Sequence, residues 1–495
     1  MDPSQVERAA MRGGAITAVA QVLKALISAA GTLFLTRALS PDEFGLVGMI
    51  VAVTGITDLL KDYGLSSATI QRQELRHDEV SALFWINVAI GAALSALTLI
   101  AAPLIATGYG QPALYELTCA LAASSVLGGI SVQHLALLRR ELRLDRVAYI
   151  DVGSSIAGTL AAVVSAYAGH GAWALVIRQL VRLSTQAVLS WLLCPWRPSA
   201  PKRTDVRELV RFGAHVSGFQ VMNYLERNLD NILIGRFVGP TALGLYEKAY
   251  EMMRVPLEQV SQPVSSVAMP ALSRLTEQPE RYRVAYRNVA RLLSLLLTGT
   301  TPLAIYIAPF FIPTILGAQW RDSVPIFQWL AAGLLVKPLL STTGWLFVSQ
   351  GRGQDLWRWG VLGSSISIAS FGVGLQWGAL GVAAAYSLSD IFIRAPLLLW
   401  WVSRRGPVSL RDLIACQWPA LVCAAVVGGC CFALDAALPL QAAEARMAIA
   451  APLALLAGLF SVTLTNSGRE SLRSSIAMLN AMRGRGLKAD GPEPI

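Results

Sequence analysis

The sequence predicts an all-α polytopic membrane protein of about fourteen transmembrane helices, two parallel six-helix repeats followed by two C-terminal helices. Three features carry that expectation. The 495 residues are 54% hydrophobic and 15% charged, with mean hydropathy +0.52, whereas soluble domains hold about 25% charged residues. The apolar runs are mostly about 20 to 28 residues long and do not alternate with polar positions, which suits spanning helices and not barrel strands. Lys and Arg also segregate: alternate connections hold 28 of the 41, counting those at span edges, against four on the other side, Arg37, Arg236, Arg321 and Arg446. By the positive-inside rule both termini are cytoplasmic.

Each span has its own justification. The first, 14–39, is far longer than a signal-peptide core, so it is expected to remain attached. The second, 44–63, follows "SPDE": Ser40 as N-cap, Pro41 at the first helical position, and Asp42 and Glu43 in the first turn read as a capping box, not as catalytic carboxylates. Spans 80–107 and 113–138 come next, then 147–167 and 171–194, joined by "AGHG". The basic, Pro-rich "CPWRPSAPKRTD" separates these six from the next six, near 209–237, 242–270, 289–316, 323–349, 356–375 and 378–402. Spans 414–438 and 445–465 close the membrane part. The expected organisation is therefore an N-terminal lobe 1–194, a cytoplasmic linker 195–208, a C-terminal lobe 209–402, helices 13 and 14 within 403–465, and a polar cytoplasmic tail 466–495.

The two lobes repeat. "RALSPDEFGL" from Arg37 and "RFVGPTALGL" from Arg236 share Arg, Pro, Gly and Leu at the same relative positions. "VGSS" at Val152 pairs with "LGSS" at Leu362, and "GAWALV" at Gly171 with "GALGVA" at Gly378, all in the same order. Parallel repeats of this kind suit a transporter that moves one bundle against the other.

These motifs, with "DYGLSSATIQR", "FWIN", "RNLDNILIGRFVGPTALGLYEKAYEMMRVP" and "PALSRL", resemble the polysaccharide transporter family of oligosaccharide flippases, within the multidrug, oligosaccharidyl-lipid and polysaccharide exporter superfamily. The resemblance covers about Gly14 to Val402. It implies a multi-pass protein of the bacterial inner membrane, not an enzyme, that flips an undecaprenyl-diphosphate-linked oligosaccharide by alternating access for surface polysaccharide export. Its implied partners are that lipid-linked glycan and membrane lipids, with a polysaccharide polymerase and a chain-length regulator as further candidates. No nucleic acid is expected, because the +10 net charge lies in short membrane-hugging loops. An ion-coupled small-molecule antiporter of the same superfamily is the alternative, and a membrane-embedded polymerase stands behind it. The outer connections are too short to hold an acceptor sugar.

Charges inside spans supply the candidate site. Asn223, Glu226, Arg227 and Asp230 fall at i, i+3, i+4 and i+7, one stripe of a helix, and Glu247, Glu251, Arg254 and Glu258 form a second. Lipid exposure would cost several kcal/mol per charge, so both stripes are expected to face the bundle interior, either bridging each other or touching substrate. Lys24, Lys337, Arg178 and Arg182 have no acid within four residues on their own helix. Their anion is either a carboxylate of another helix, such as Asp58 or Glu226, or the substrate's pyrophosphate; with Arg227 they are the expected substrate-binding cations. Arg394, one turn from Asp390, and Lys248 and Arg254, near Glu251, are expected to pair locally. The six cysteines and four histidines show no metal or redox spacing, so no metal or cofactor is expected.

Overall fold

The computed structural model describes residues 3–60, 76–200 and 227–437, with Ser66, Thr69, Ile70, Arg72, Tyr224 and Pro452. These are almost entirely helical, with no strand among them. Seven helical stretches are long and apolar enough to cross a membrane, or eight if one bent pair counts as a span. Most of span 209–237, span 445–465 and the tail lie outside the described residues. The chain divides into two compact units, Met1–Glu247 and Lys248–Ile495.

In the first unit α1 (Pro3–Ala38) and α2 (Pro41–Leu60) precede the α3 (His77–Tyr109) and α4 (Ala113–Arg140) hairpin. Then come α5 (Leu144–Tyr167), α6 (Trp173–Leu193) and α7 (227–237). The entrance to α2 is the expected capping box: the Ser40 N–H donates to Glu43 Oε2 at 2.7 Å, and the Glu43 N–H to Ser40 Oγ at 3.4 Å. α3 ends at Gly110, whose left-handed φ of 67° lets its N–H reach the carbonyls of Ala106 and Thr107. The close packing of α3 on α4 rests on small residues, because lipid offers no hydrophobic drive to associate. A Cβ on Gly91 would lie 2.6 Å from the Ser125 carbonyl oxygen, and one on Gly129 would lie 2.7 Å from that of Asn87. Ile100, Leu104, Val164 and Leu192 turn outward, an apolar exterior fitted to lipid. The start of the linker is tied down: Trp85 Nε1 donates to the Ser199 carbonyl at 2.8 Å, and the Ser199 N–H to Ser81 Oγ at 3.1 Å.

α8 (Pro240–Ser273) carries the boundary between the units. In the second unit three expected spans are irregular, and one of them is sharply bent. Span 289–316 is α9 (Pro279–Thr298) and α10 (Thr301–Leu316); span 323–349 is α11 (Ser323–Ala332) and α12 (Lys337–Ser349), bent by 46°. After α13 (Gly353–Gly374), span 378–402 is α14 (Gly378–Ser389), a π-helical turn over Asp390–Arg394, and α15 (Ala395–Ser403). A proline accompanies each irregularity: Pro302, Pro338 and Pro396 each stand in the first turn of the second piece, where a missing N–H is tolerated. α16 (Leu410–Ala437) packs along α9. The core between α9, α12, α13, α15 and α16 buries Tyr282, Tyr286, Phe347, Leu398 and Leu413; Tyr286 Oη and Thr342 Oγ1 are hydrogen-bonded at 2.9 Å.

Candidate functional site

In the first unit the two copies of the Arg-Pro-Gly-Leu motif meet. α2 and α8 begin at Pro41 and Pro240, and their first turns cross so closely that each glycine faces the other copy's proline carbonyl. A Cβ on Gly45 would sit 1.8 Å from the Pro240 oxygen, and one on Gly244 would sit 1.9 Å from the Pro41 oxygen. Backbone touches backbone here, which only glycine permits. Thr241 Oγ1 donates to Asp42 Oδ1 at 3.0 Å beside the crossing, and the Glu247 carboxylate lies over Gly48. Farther along α2, Tyr224 Oη donates to the Val51 carbonyl at 2.5 Å.

The polar stripe is partly resolved into pairs. Asn223 and Glu226 lie outside the described residues. Arg227 is exposed, while Asp230 is buried and accepts from Tyr246 Oη at 2.8 Å and from the Asn231 N–H at 2.9 Å. Tyr246 belongs to α8, though not to its charged stripe. Two α8 pairs run along their own helix. Lys248 Nζ is 2.7 Å from Glu251 Oε2, and Arg254 takes Glu258 at 3.3 Å instead of the expected Glu251.

Lys24, Arg178 and Arg182 are half-buried in the first unit. α5 packs against both α1 and α6, with Gly158 beneath the backbone of Arg178 and Arg182. Arg182 Nη2 donates to Gln179 Oε1 at 3.1 Å.

Lys337 belongs to the second unit, and its setting follows from the broken span. Pro338 has no N–H for the carbonyl of Leu334, so the chain passes through a 3₁₀ turn at Gly333–Leu335. Thr298 Oγ1 donates to that orphaned Leu334 carbonyl at 3.1 Å, and Gln417 Nε2 donates to the Leu335 carbonyl at 2.5 Å. A side chain from α9 and one from α16 thus replace the missing helix bonds, which a break at membrane depth requires. Lys337 stands at the first residue of α12, where the helix dipole disfavours a cation. Its ammonium lies 4.1 Å from the centre of the Tyr386 ring and 2.6 Å from Asp390 Oδ2. Asp390 Oδ1 takes Arg394 Nη1 at 2.7 Å. Of the two anions the sequence leaves open for Lys337, a carboxylate of another helix or the substrate's pyrophosphate, the structure supplies the first: Asp390 of the neighbouring span, which Arg394 holds as well. Pro396 shapes this arrangement, since the π turn ends in a bond from the Ala395 N–H to the Asp390 carbonyl. Such turns occur often at functional positions.

The family described as "Polysaccharide biosynthesis protein" matches residues 34–325. Among curated proteins, the chain is 25% identical over 361 residues to the lipopolysaccharide biosynthesis protein WzxC of Escherichia coli (strain K12), spanning 72% of this chain and 73% of that one. It is 25% identical over 476 residues to the succinoglycan biosynthesis transport protein ExoT of Rhizobium meliloti (strain 1021), spanning 93% of each. Among solved structures, the lipid II flippase MurJ in an inward closed conformation superposes with TM-score 0.71 at 12% identity, covering 90% of this chain and 98% of that one. An inward-facing multidrug resistance MATE family transporter of the MOP superfamily gives TM-score 0.60 at 15% identity, covering 79% and 96%. At such identities the structures establish a shared fold and no more.

Proposed function

The chain belongs to the polysaccharide biosynthesis protein family, and on that premise we propose that it flips a lipid-linked oligosaccharide, its lipid an undecaprenyl diphosphate, across the bacterial inner membrane. The observation that carries this reading is the crossing of α2 and α8 at Gly45 and Gly244, a backbone-tight seal at one end of the spans. The scarcity of Lys and Arg beside it, Arg37 and Arg236 alone, supports reading that end as the outer face and both termini as cytoplasmic. A glycan admitted from the cytoplasmic side can leave only when this seal parts, which is alternating access in its simplest form. In this reading the six-helix lobes 1–194 and 209–402 move about the linker, and helices 13 and 14 stand outside the repeat.

The diphosphate is the substrate's fixed anion, and the cations held inside the spans are its counterpart. Lys24, Arg178, Arg182 and Arg227 in the first unit meet it as point charge and planar forks. No bond is made or broken, so the protein acts as a transporter and not as an enzyme.

The test is a pair of cysteines at Asp42 and Thr241 in a chain whose native cysteines are replaced. Crosslinking them should stop glycan export, and reduction should restore it. Undiminished export by the crosslinked protein would mean that the seal never opens in the cycle. Chemical identification of the lipid-linked glycan that accumulates when the gene is deleted then establishes the cargo, and accumulation of none would sink the flippase reading.

A further inference from the structure

A polar concavity lies where α13 begins and α15 ends. It encloses about 570 Å³. Arg352 builds it. Its Nε and Nη2 donate to Asp355 Oδ2 at 3.1 and 3.0 Å, and its Nη1 donates to the carbonyls of Val402 at 3.3 Å and Arg405 at 2.5 Å. The guanidinium also lies over the Phe347 ring, 5.1 Å from its centre. Arg352 is thereby spent on holding the last turn of α15 to the first turn of α13, and it consumes the one carboxylate of the concavity.

Three arginines remain on the walls, Arg358, Arg404 and Arg405, all exposed. Among the described residues none of the three has a carboxylate oxygen within 4.0 Å. Arg404 lies over Trp400, 4.1 Å from the ring centre. Three guanidinium groups around one small space give it a positive potential that an anion among them would lower. The size suits a phosphate ester with the atoms next to it.

The neighbouring surface says where that ester comes from. Trp400 is 47% exposed and Trp357 is 69% exposed, and below them Val361 turns outward from α13. Indoles at the ends of spans mark the headgroup level of the bilayer, and the apolar side chains beneath continue into hydrocarbon. An anion whose polar end sits among the arginines and whose apolar part runs down this face is a lipid. Basic pockets between spans take anionic headgroups in this way. We propose that the concavity binds the phosphate headgroup of an anionic membrane phospholipid, with Arg358, Arg404 and Arg405 as its phosphate ligands and Trp400 as the platform beside them.

The full-length protein, stripped of lipid in detergent, is titrated with phosphatidylglycerol, and bound copies are counted by native mass spectrometry. Phosphatidylcholine, undecaprenyl diphosphate and inorganic pyrophosphate are titrated in parallel. The unmodified protein is expected to retain one phosphatidylglycerol tightly. Arg358→Gln and Arg404→Gln should each weaken it roughly fivefold, at about one charge near the interface apiece. Arg358→Lys should weaken it less, since it keeps the charge and loses the fork. Thermal melts in detergent check that each variant is folded, and Arg405→Gln replaces any that is not. Phosphatidylglycerol bound equally by the unmodified and Gln proteins overturns the site. Equal retention of phosphatidylcholine overturns the role of charge. Competition by pyrophosphate alone, or a site taken by undecaprenyl diphosphate and refused to phosphatidylglycerol, overturns the phospholipid as occupant.

Discussion

Lys337 Nζ lies 2.6 Å from Asp390 Oδ2, and the other oxygen of the same carboxylate holds Arg394. Asp390 is only 1% exposed, a buried carboxylate shared by two cations in the span region. Removing one member of such a group leaves charge without its partner, at a cost of about 3 to 5 kcal/mol. Asp390→Asn should therefore be the most destabilising of the three single neutralisations, with Lys337→Gln and Arg394→Gln milder because each leaves Asp390 one cation. Thermal unfolding in detergent orders them. An Asp390→Asn protein as stable as the unmodified chain would refute the shared-carboxylate account.

Neutralising the first-unit cations tests a different role. Lys24→Gln and Arg178→Gln should each lower glycan export while the amount of protein in the membrane stays constant. Surface polysaccharide is measured against membrane protein level. Normal export, or export lost only with the protein, makes these residues structural.

The break before α12 makes its own prediction. Thr298→Val and Gln417→Leu each remove a donor from an orphaned carbonyl, and each should cost about 1 to 3 kcal/mol. Together they should be less than additive if the carbonyls find water. The double variant measured beside the singles gives the coupling.

At the crossing, Gly45→Ala and Gly244→Ala place a methyl against a carbonyl oxygen that cannot swing aside. Both should lower the crosslinking yield between cysteines at positions 42 and 241. Gly429→Ala, where a Cβ meets nothing within 4 Å, is the matched control. Equal yields in all three would show that the contact is not maintained in the membrane.

Orientation is tested with reporter fusions. A reporter after Gly110 or Gly169 should read as outside, and one after Arg203 as inside. A reversal at any of the three positions breaks the assignment of faces.

Helix positions were legible because their causes are local: apolar length, the Ser40 capping box and Gly110 all act within a few residues of where they are read. The repeat was legible too, as an alignment of Pro41 with Pro240 and Gly45 with Gly244. That the copies touch was not, since nothing in a single strand of sequence distinguishes a glycine that ends a turn from one that admits another backbone. The same limit explains Lys337. The Arg394–Asp390 pair lies within four residues and is visible in the sequence, whereas Lys337 reaches the same carboxylate from a neighbouring span, across 53 residues. The prolines at 302, 338 and 396 were visible and marked the breaks, but runs of apolar residues on both sides made each pair look like one span. The arginines at 358, 404 and 405 had been absorbed into the count of interfacial charges, where clustering leaves no trace.

The crossing at Pro41 and Pro240 has the form of a dimer interface that has been written into one chain. Gly45 meets Pro240 and Gly244 meets Pro41, and both partners are displaced by the same 199 residues (240 − 41 and 244 − 45), so residue i meets j′ while j meets i′, the signature of twofold symmetry. On such an axis each residue must face its own counterpart, and position 42 does face position 241. Two identical subunits would be bound to set Asp against Asp there, or Thr against Thr. Covalent fusion lifts that obligation: one copy carries the acceptor Asp42, the other the donor Thr241, and a place where symmetry would set like against like holds a bond between a charged acceptor and a neutral donor.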